Sequence, residues 1–590
     1  MTTKKQSSAG ALRPTPTGSD LAFRPGNFDS LAAALDYAAQ SITGLNFYDG
    51  KGRLQTVMPY AQLREDAIAH ARRLGTMGLP RGARIALIAE TTADFVTFFF
   101  AAQYAGMVPV PLPVPLGLGK RDIYVHQLRN LLDSAVPDVL VAGASLIAVA
   151  REAASRLPLR FIGTPATFAE LPRAPDALTP SRCDEVAYIQ YTSGSTQMPR
   201  GVLVTQRAVL SNLQGIINHG VRIHGEDRMV SWLPFCHDMG LVGLVLVPVA
   251  TQRSVDYLAT STFAMRPRLW LELLSRTRAT ISFSPPFGYE LCARRVGPID
   301  VGGYDLSHWR VAGVGAEMIR SDTLEQFAET LAPAGFRAEA FLPCYGMAEH
   351  SLAISFAPLG EGMRVDHIDR DVYAQDRIAR PVDPRTTRQP VRAFVDCGEP
   401  LPGHEIQVRD EDGLELPERH TGAIYARGPS VMAGYFNHPV ASASALSADG
   451  WLNTGDLGYR IGQRLIITGR SKDLIIVHGR NIWPQDLEYV AEQQPGVRTN
   501  DALAFSVSAD GCSDLVVVVI QSREQDRGKR LDLMANVRNR IRSEFAVDSH
   551  VVLVPPHTLP RTTSGKLSRS RARIEFLESE AWEQFRSTAA

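Results

Sequence analysis

The stretch Tyr191-Thr-Ser-Gly-Ser-Thr-Gln-Met-Pro-Arg-Gly-Val202 is the most informative part of this sequence. An apolar, strand-like run precedes it at 186–191, and a helix-like run follows it at 207–213. The small or hydroxylated residues from Thr192 to Thr196 let the backbone approach a polyanion, and their amides and hydroxyls suit phosphate oxygens. A Walker loop is excluded, because the G-x-x-x-x-G-K-[ST] pattern is absent from the chain. The alternative is an ordinary Ser/Thr/Gly surface loop.

The composition is that of a globular protein with more than one core. A chain of 590 residues is too long for a single core and predicts several subdomains. Lys plus Arg equals Asp plus Glu at 62 each, so the charge balance indicates no nucleic-acid partner. The six cysteines form no C-x-x-C pair, which favours reduced thiols in a cytoplasmic protein over a disulfide framework or a zinc site.

No integral membrane segment is expected. The most apolar early segment, 95–105, is too short to span a bilayer, and prolines interrupt the residues that follow it. We expect a buried helix there.

Helix-like and strand-like runs alternate through most of the chain, which predicts a parallel sheet with crossovers in an α/β fold. Helical periodicity covers 30–39 and 60–74, and the strand-like runs are 83–88, 139–142, 229–233, 279–283 and 310–314. Such sheets bind ligands beyond the carboxyl ends of their strands, where the loop after Tyr191 is expected to lie.

The chain divides into three parts. Residues 1–20 are rich in Ser, Thr, Pro and Gly and predict a disordered tail. Residues 21–468 predict a large N-terminal domain of α/β subdomains, with a smaller β-rich subdomain in 398–456. Residues 471–590 have their own alternation, with a strand at 514–520 and a helix around 531–543, and predict a small separate α+β domain.

Four further motifs carry candidate chemistry. In chain order they are Gly315-Ala-Glu317, Cys344-Tyr-Gly-Met-Ala-Glu349, Gly450-Trp-Leu-Asn-Thr-Gly-Asp-Leu-Gly458 and Pro560-Arg-Thr-Thr-Ser-Gly-Lys566. Joining a carboxylate to ATP requires a phosphate grip, a metal ligand, a ribose grip and a cation on the developing charge. With the loop after Tyr191, these motifs resemble the adenylate-forming superfamily (acyl-CoA synthetases, luciferases and adenylation domains) over nearly the whole chain.

The resemblance implies ATP and Mg²⁺ as cofactors and gives each motif a role. The residues implied to bind phosphates are Thr192, Ser193, Gly194, Ser195, Thr196 and Arg200. Those implied to bind adenine are Gly315, Ala316, Glu317, Tyr345 and Gly346, and those implied to bind ribose are Asp456 and Arg470. Glu349, with Thr196, is implied to hold Mg²⁺, and Lys566 to bridge the substrate carboxylate and the α-phosphate. Lys472 occupies the hinge about which the mobile C-terminal domain of family members rotates.

The sequence departs from the superfamily pattern at three positions. Gln197 stands where Gly is usual, and Arg200 stands where Lys is usual, so the positive charge is kept. Ala348 stands in place of Thr and removes one hydroxyl from the phosphate surroundings.

The segment 231–241, Ser-Trp-Leu-Pro-Phe-Cys-His-Asp-Met-Gly-Leu, resembles the corresponding string of fatty acyl members and indicates a fatty acid substrate. Amino-acid-activating members usually have F-D-x-S here, which is missing. The apolar runs 241–248 and 284–292 either line an alkyl tunnel or form plain core. His237 either gates the substrate, the interpretation we favour, or is a core histidine.

Two features resemble fatty acyl-AMP ligases, which pass the acyl group to the phosphopantetheine of an acyl carrier protein and use free CoA poorly. An insertion at about 355–395 lengthens the interval from Glu349 to Gly398 to 49 positions, and in that branch it is thought to restrain domain movement. The string Pro484-Gln-Asp-Leu-Glu488 also resembles that branch. We find no carrier attachment site on this chain, so we expect a separate carrier protein. The alternatives are an acyl-CoA synthetase and a noncatalytic adenylate- or carrier-binding module.

Overall fold

The structure is a computed structural model that describes residues 12–19, 21–115, 121–175, 177–192, 200–297, 301–477, 480–507, 515–562, 566–579 and 582. Among these residues, no helix has the length and apolar character needed to cross a membrane.

A central sheet of nine strands organises the N-terminal part. Its strands lie in the spatial order Glu399–Pro400, Ala353–Phe356, Phe341–Gly346, Val311–Val314, Ile281–Ser284, Met229–Ser231, Val255–Leu258, Gly44–Tyr48 and Leu54–Pro59. The strands from Phe341–Gly346 to Gly44–Tyr48 pair in parallel, and antiparallel strands cover both edges. Parallel strands direct their carboxyl ends to one edge of the sheet, and the motifs 315–317 and 344–349 lie at or just beyond those ends.

Two smaller sheets stand beside it. One contains Val108–Leu112, Arg84–Ile88, Val139–Val141 and Phe161–Gly163, all parallel. The other contains Gly434–Tyr435, Gly201–Thr205 and Val186–Tyr191, all antiparallel. The helix expected at 207–213 is present as Gln206–Gly215. The strand Gly201–Thr205, which was not predicted, precedes it and pairs antiparallel with Val186–Tyr191.

Helices cover the sheets. In the described ranges, the α-helices are Leu31–Ala38, Tyr60–Gly75, Ala93–Tyr104, Arg121–Ala135, Ile147–Ala153, Pro165–Ala169, Gln206–Gly215, Asp238–Leu241, Val247–Thr251, Thr260–Met265, Arg268–Thr277, Pro286–Arg295, Ser321–Leu331, Arg370–Asp376, Pro439–Ala445, Pro484–Glu492, Arg527–Phe545 and Arg569–Leu577. Ile216–Gly220 and Val242–Leu246 are π-helical, and Ala332–Ala334, Ala338–Ala340, Ala348–His350 and Ser471–Asp473 are 3₁₀ turns. Ala93–Tyr104 is the expected buried helix, and Thr92 caps it by accepting from the Phe95 amide.

The β-rich subdomain is an antiparallel sheet of Glu405–Arg409, Gly422–Arg427, Leu452–Ile461 and Arg464–Arg470. Beyond it, Ile475–Val477 pairs with Arg480–Ile482, and Ala502–Val507, Leu515–Gln521 and Ser549–Val554 form a three-stranded sheet. This last sheet has separate apolar clusters on its two faces. The predicted fold class, α/β with a smaller C-terminal α+β part, is confirmed. The domain boundaries at 468 and 471 stay predictions.

The predicted disordered tail is wrong for residues 12–19. Thr15 is buried, and its amide donates to Oδ1 of Asn46 at 2.9 Å. Its carbonyl accepts from Arg228 at 2.7 Å. Low apolar content predicted disorder, but this segment is fixed by polar contacts with distant strands, which local composition does not reveal.

Candidate active site

A cavity of about 500 Å³ lies at the carboxyl edge of the central sheet. It is lined by these predicted site residues: Thr192, Arg200, His237, Ala316, Tyr345, Gly346, Glu349, Arg470, Lys472 and Lys566. Asp456 does not line the cavity, but it directly contacts two residues that do, Tyr345 and Arg470. Gly315 and Glu317 flank Ala316 but do not line the cavity. The predicted phosphate and metal contacts Ser193, Gly194, Ser195 and Thr196 lie outside the described residues.

Three predicted nucleotide contacts form a connected group. The Tyr345 hydroxyl donates to Oδ2 of Asp456 at 2.7 Å, and Nε of Arg470 lies 3.2 Å from Oδ1. The β-hairpin places Asp456 directly opposite Arg470. Asp456 is only 7% exposed, so its orientation is fixed before any ligand arrives. A carboxylate held in this way can still accept further hydroxyl donors such as those of a ribose.

Glu349 has a partner that the sequence analysis did not identify. The Tyr435 hydroxyl donates to Oε1 of Glu349 at 2.9 Å, and the Arg200 guanidinium lies 5.4 Å from the centre of the Tyr435 ring. Burial raises the pKa of Glu349, although Tyr435 and the charge of Arg470 act in the opposite direction. A buried carboxylate that faces a cavity is favourable when a cation joins it.

Gly346 allows the Glu349 motif to fold back closely on itself. A Cβ at Gly346 would lie 1.8 Å from the carbonyl oxygen of Leu352. Any side chain would therefore push apart the strands Phe341–Gly346 and Ala353–Phe356, between which Glu349 is held.

Lys566 brings the C-terminal part of the chain into the cavity. Its Nζ donates to the carbonyl of Ala316 at 2.6 Å. Ala316 has φ of 68°, a left-handed conformation that is uncommon for a residue with a Cβ and often marks functional sites. Burial lowers the pKa of Lys566, while the nearby carboxylates of Glu317 and Asp238 act in the opposite direction. The ammonium thus lies beside the cavity.

His237 lies on the cavity and not in the core. Its Nδ1 is 2.6 Å from Oδ1 of Asp238, and the two side chains are 21% and 12% exposed. The Met239 amide donates to Asp238 at 2.7 Å. Burial raises the pKa of Asp238, but its contacts with His237 and the Met239 amide and the charge of Lys566 act in the opposite direction, and the net shift is downward.

Below the polar end, the cavity is apolar. Its lining there comprises Ile216, Val221, Ile223, Met229, Met239, Gly243, Val247, Ile281, Phe283, Leu352 and Phe356. Gly243 and Val247 belong to the run 241–248 that was considered for an alkyl tunnel. The second run, 284–292, does not reach the cavity, and Tyr289 and Cys292 are core residues. Most of the apolar lining comes from residues that no motif marked.

Tyr435 is the main polar residue that the sequence analysis missed. The surrounding string Gly434-Tyr-Phe-Asn437 belongs to none of the motifs described above and resembles the end of an ordinary strand. Its role follows from the pairing of Gly434–Tyr435 with Gly201–Thr205, which brings it between the loop strands and Glu349.

The segment 355–395 forms an interface with the C-terminal part. It contains the antiparallel strands Val365–Asp369 and Val391–Val395 and the helix Arg370–Asp376. Arg392 pairs with Asp486 at 2.9 Å, and its guanidinium lies 5.4 Å from the centre of the Trp483 ring.

A second group of contacts strengthens this interface. Tyr373 stacks on Trp483 with ring centres 5.9 Å apart. Arg370 donates to the carbonyl of Glu544 at 2.9 Å, and Arg377 donates to Asn481 at 3.1 Å. The C-terminal part is therefore held where Lys566 reaches the cavity.

Comparisons with known proteins identify relatives of this chain. Residues 47–436 match the family model described as AMP-binding enzyme. A Caulobacter vibrioides protein, provisionally named an acyl-CoA synthetase, is 46% identical over 95% of this chain and 98% of its own length. The medium-chain-fatty-acid–[acyl-carrier-protein] ligase JamA of Moorena producens is 33% identical over 89% of this chain and 91% of its own length. A solved structure from a study of fatty acyl-adenylate ligases from E. coli and L. pneumophila is 47% identical, covers 95% of this chain and 100% of its own, and has a TM-score of 0.91.

Proposed function

Because this chain belongs to the AMP-binding family of adenylate-forming enzymes, we propose that it is a fatty acyl-AMP ligase serving a separate acyl carrier protein. It activates a fatty acid with ATP, releases pyrophosphate, and transfers the acyl group to the phosphopantetheine of the carrier. The observation that carries the proposal is one continuous cavity. Lys566 and Glu349 line its polar end, where Asp456 contacts the lining residues Tyr345 and Arg470, and its other end is apolar.

The first half-reaction follows from the positions of the charges. A carboxylate oxygen of the fatty acid attacks the α-phosphorus of ATP, and the bond from that phosphorus to the bridging oxygen breaks to release pyrophosphate. Negative charge accumulates on the oxygens of the five-coordinate phosphorus, and the Lys566 ammonium stabilises it there. Asp456 and Arg470 hold the ribose, so the nucleotide cannot turn away from the acid.

The residues at Glu349 fit a magnesium ion. Mg²⁺ takes oxygen ligands and is often held by one carboxylate together with substrate phosphates. Glu349 offers a buried carboxylate facing the cavity, and Tyr435 occupies only one of its oxygens. Mg²⁺ bound here would neutralise charge on the phosphates, while Tyr435 keeps the carboxylate oriented.

The interface between 355–395 and the C-terminal part supports the carrier as acceptor. In the second half-reaction, the thiol sulfur attacks the acyl carbonyl, the bond to the AMP oxygen breaks, and AMP leaves. Free CoA must find a site that the C-terminal part uncovers only on rotating, whereas a carrier protein brings its own docking energy. The name of JamA, a ligase acting on an acyl carrier protein, favours the same assignment. Since ATP is supplied in the cytoplasm, we place the reaction there.

An acyl-CoA synthetase is the second candidate, favoured by the provisional name of the Caulobacter relative. One experiment decides between them. Purified protein is incubated with MgATP and fatty acids of increasing length, with CoA present or omitted, and acyl-AMP and acyl-CoA are quantified by mass. Acyl-AMP that accumulates regardless of CoA supports the ligase. Rapid acyl-CoA formation contradicts it, and absence of product with every acid contradicts both.

A further inference from the structure

Two phenylalanines that line the apolar part of the cavity each pack against a glycine. Gly313 lies directly opposite Phe283 on the neighbouring parallel strand, and a Cβ at Gly313 would stand 2.0 Å from the ring. Gly220 ends the π-helix Ile216–Gly220, and a Cβ there would stand 2.6 Å from the Phe356 ring. Both distances are far shorter than carbon–carbon contact, at about 3.5 Å or more. Each ring therefore occupies the place of the side chain that its glycine lacks.

Neither glycine is needed for its backbone conformation. Both are absent from the residues with positive φ, among which other glycines of the chain are found. Alanine at either position is therefore compatible with the backbone, and the ring contact is what excludes it.

A displaced ring has one open direction. Phe283 and Phe356 line the cavity and are each 9% exposed. Their remaining surface packs within the main apolar cluster of the domain. Because protein cores are close-packed, a ring pushed off its glycine moves towards the cavity.

Phe283 stands between the polar end and the floor of the cavity. The strand Val311–Val314 carries Gly313, and Ala316, whose carbonyl accepts from Lys566, lies two residues beyond its end. Phe283 and Ile281 share one face of their strand, and Ile281 pairs with Met229, which also lines the cavity. At a rise of about 3.3 Å per residue, Ile281 lies about 7 Å deeper than Phe283. An acyl chain whose carboxylate lies near Lys566 must therefore pass Phe283 to reach Ile281 and Met229.

We propose that Gly313 and Gly220 determine which acyl-chain lengths the enzyme accepts. Because these glycines have no side chain, Phe283 and Phe356 can pack against them and lie away from the path of the acyl chain. The proposal rests on the proposed function and adds to it the preference for long, unbranched acids that reach Ile281 and Met229. Short acids do not extend past the rings, so the glycines matter little to them.

The test is the acyl-AMP formation rate with octanoate, dodecanoate and hexadecanoate for wild type, Gly313→Ala and Gly220→Ala. We expect each variant to lower the ratio of the hexadecanoate rate to the octanoate rate by about tenfold or more, because one misplaced methylene in an apolar pocket has that effect. The double variant Gly313→Ala/Phe283→Leu removes the clashing ring and should restore the ratio. Gly302→Ala is the matched control, since a Cβ at the exposed Gly302 meets nothing within 4 Å.

The outcomes separate the two proposals. Wild-type protein that forms no acyl-AMP with any acid contradicts the proposed function. Wild-type protein that activates octanoate but not hexadecanoate overturns the chain-length proposal, as do glycine variants with an unchanged ratio. If Gly313→Ala does not fold, Gly220→Ala makes the same test on a separate element. If neither folds, Phe283→Trp, which places a larger ring against the same glycine, must lower the hexadecanoate ratio, and an unchanged ratio overturns the proposal.

Discussion

Arg392 and Asp486 form an ion pair at 2.9 Å, with side chains 9% and 21% exposed. They come from the two features that separately suggested a fatty acyl-AMP ligase, the insertion and the Pro-Gln-Asp string. Arg392 is also flanked by the Phe394 ring at 4.6 Å and the Trp483 ring at 5.4 Å. The two features are thus the two sides of one interface, which joins the insertion to the part of the chain that carries Lys566.

The first prediction concerns this pair. Arg392→Ala leaves the mostly buried Asp486 carboxylate without its paired cation. We expect this to destabilise the interface between 355–395 and the C-terminal part by about 3 kcal/mol. We expect the C-terminal part to move more freely, so that the ratio of acyl-CoA to acyl-AMP rises and limited proteolysis near Lys472 becomes faster. Arg571→Ala, which breaks only an exposed pair with Glu575, is the control. Unchanged product ratio and proteolysis would show that the pair does not restrain the C-terminal part.

The second prediction concerns Lys566. Lys566→Ala should slow acyl-AMP formation by roughly two to three orders of magnitude, because it removes a charge needed chiefly in the transition state. ATP affinity, measured by calorimetry, should change little. Lys529→Ala, at an exposed lysine, is the control. A variant that adenylates at the wild-type rate would refute the assignment of Lys566.

The lowered pKa of Lys566 adds a pH prediction. Catalysis needs the ammonium form, and burial lowers the pKa from the usual value for lysine. The adenylation rate should therefore fall on the alkaline side at a pH below that of an ordinary lysine, as seen in a pH–rate profile. Lys566→Arg should move this fall to higher pH or remove it, since Arg stays protonated. An alkaline limb that is the same in wild type and Lys566→Arg would assign it to another group.

The third prediction concerns Tyr435 as a positioning residue. Tyr435→Phe removes the hydrogen bond to Glu349 but keeps the ring beside Arg200. We expect about a tenfold loss of activity, caused mainly by weaker affinity for Mg²⁺, as for other residues that orient a metal ligand. Magnesium titrations of the adenylation rate measure it, and Tyr489→Phe, at an exposed tyrosine, is the control. A lower rate with the same magnesium midpoint would mean that Tyr435 does not act through Glu349.

The fourth prediction concerns stability at acid pH. Burial lowers the pKa of His70 to about 4, and Arg73 and Arg173 act in the same direction. Its ordinary value is about 6.5, so below that pH the unfolded chain binds a proton that the folded chain does not, and stability falls until about pH 4. At pH 5.5 this residue lowers the free energy of unfolding by roughly 1 kcal/mol.

His70→Phe isolates that contribution. It keeps an aromatic ring against Phe98 and Phe168 but cannot titrate. Denaturant unfolding at pH 7.5 and 5.5 should show a smaller loss for this variant than for wild type. His219→Gln, at an exposed histidine, should behave as wild type. An equal loss in wild type and His70→Phe would show that His70 is not responsible.

The sequence by itself determined the elements and the polar chemistry. Alternating apolar runs predicted strands such as Arg84–Ile88, and the strings around Glu349, Asp456 and Lys566 predicted residues that the fold brings to one cavity. These inferences succeeded because backbone periodicity is local, and because each motif keeps its own residue types at a fixed spacing.

Tertiary structure decided the rest. Three contacts join residues that are far apart in sequence. They are the hydrogen bond of Tyr435 to Glu349, the packing of Phe283 on Gly313 and the ion pair of Arg392 with Asp486. Each contact depends on strand register or on the docking of distant segments, which sequence spacing does not encode. The ordered segment 12–19 has the same cause, because hydrogen bonds to distant strands overcome a composition that predicts disorder. Local sequence thus specifies which groups are available, and long-range packing specifies which of them meet.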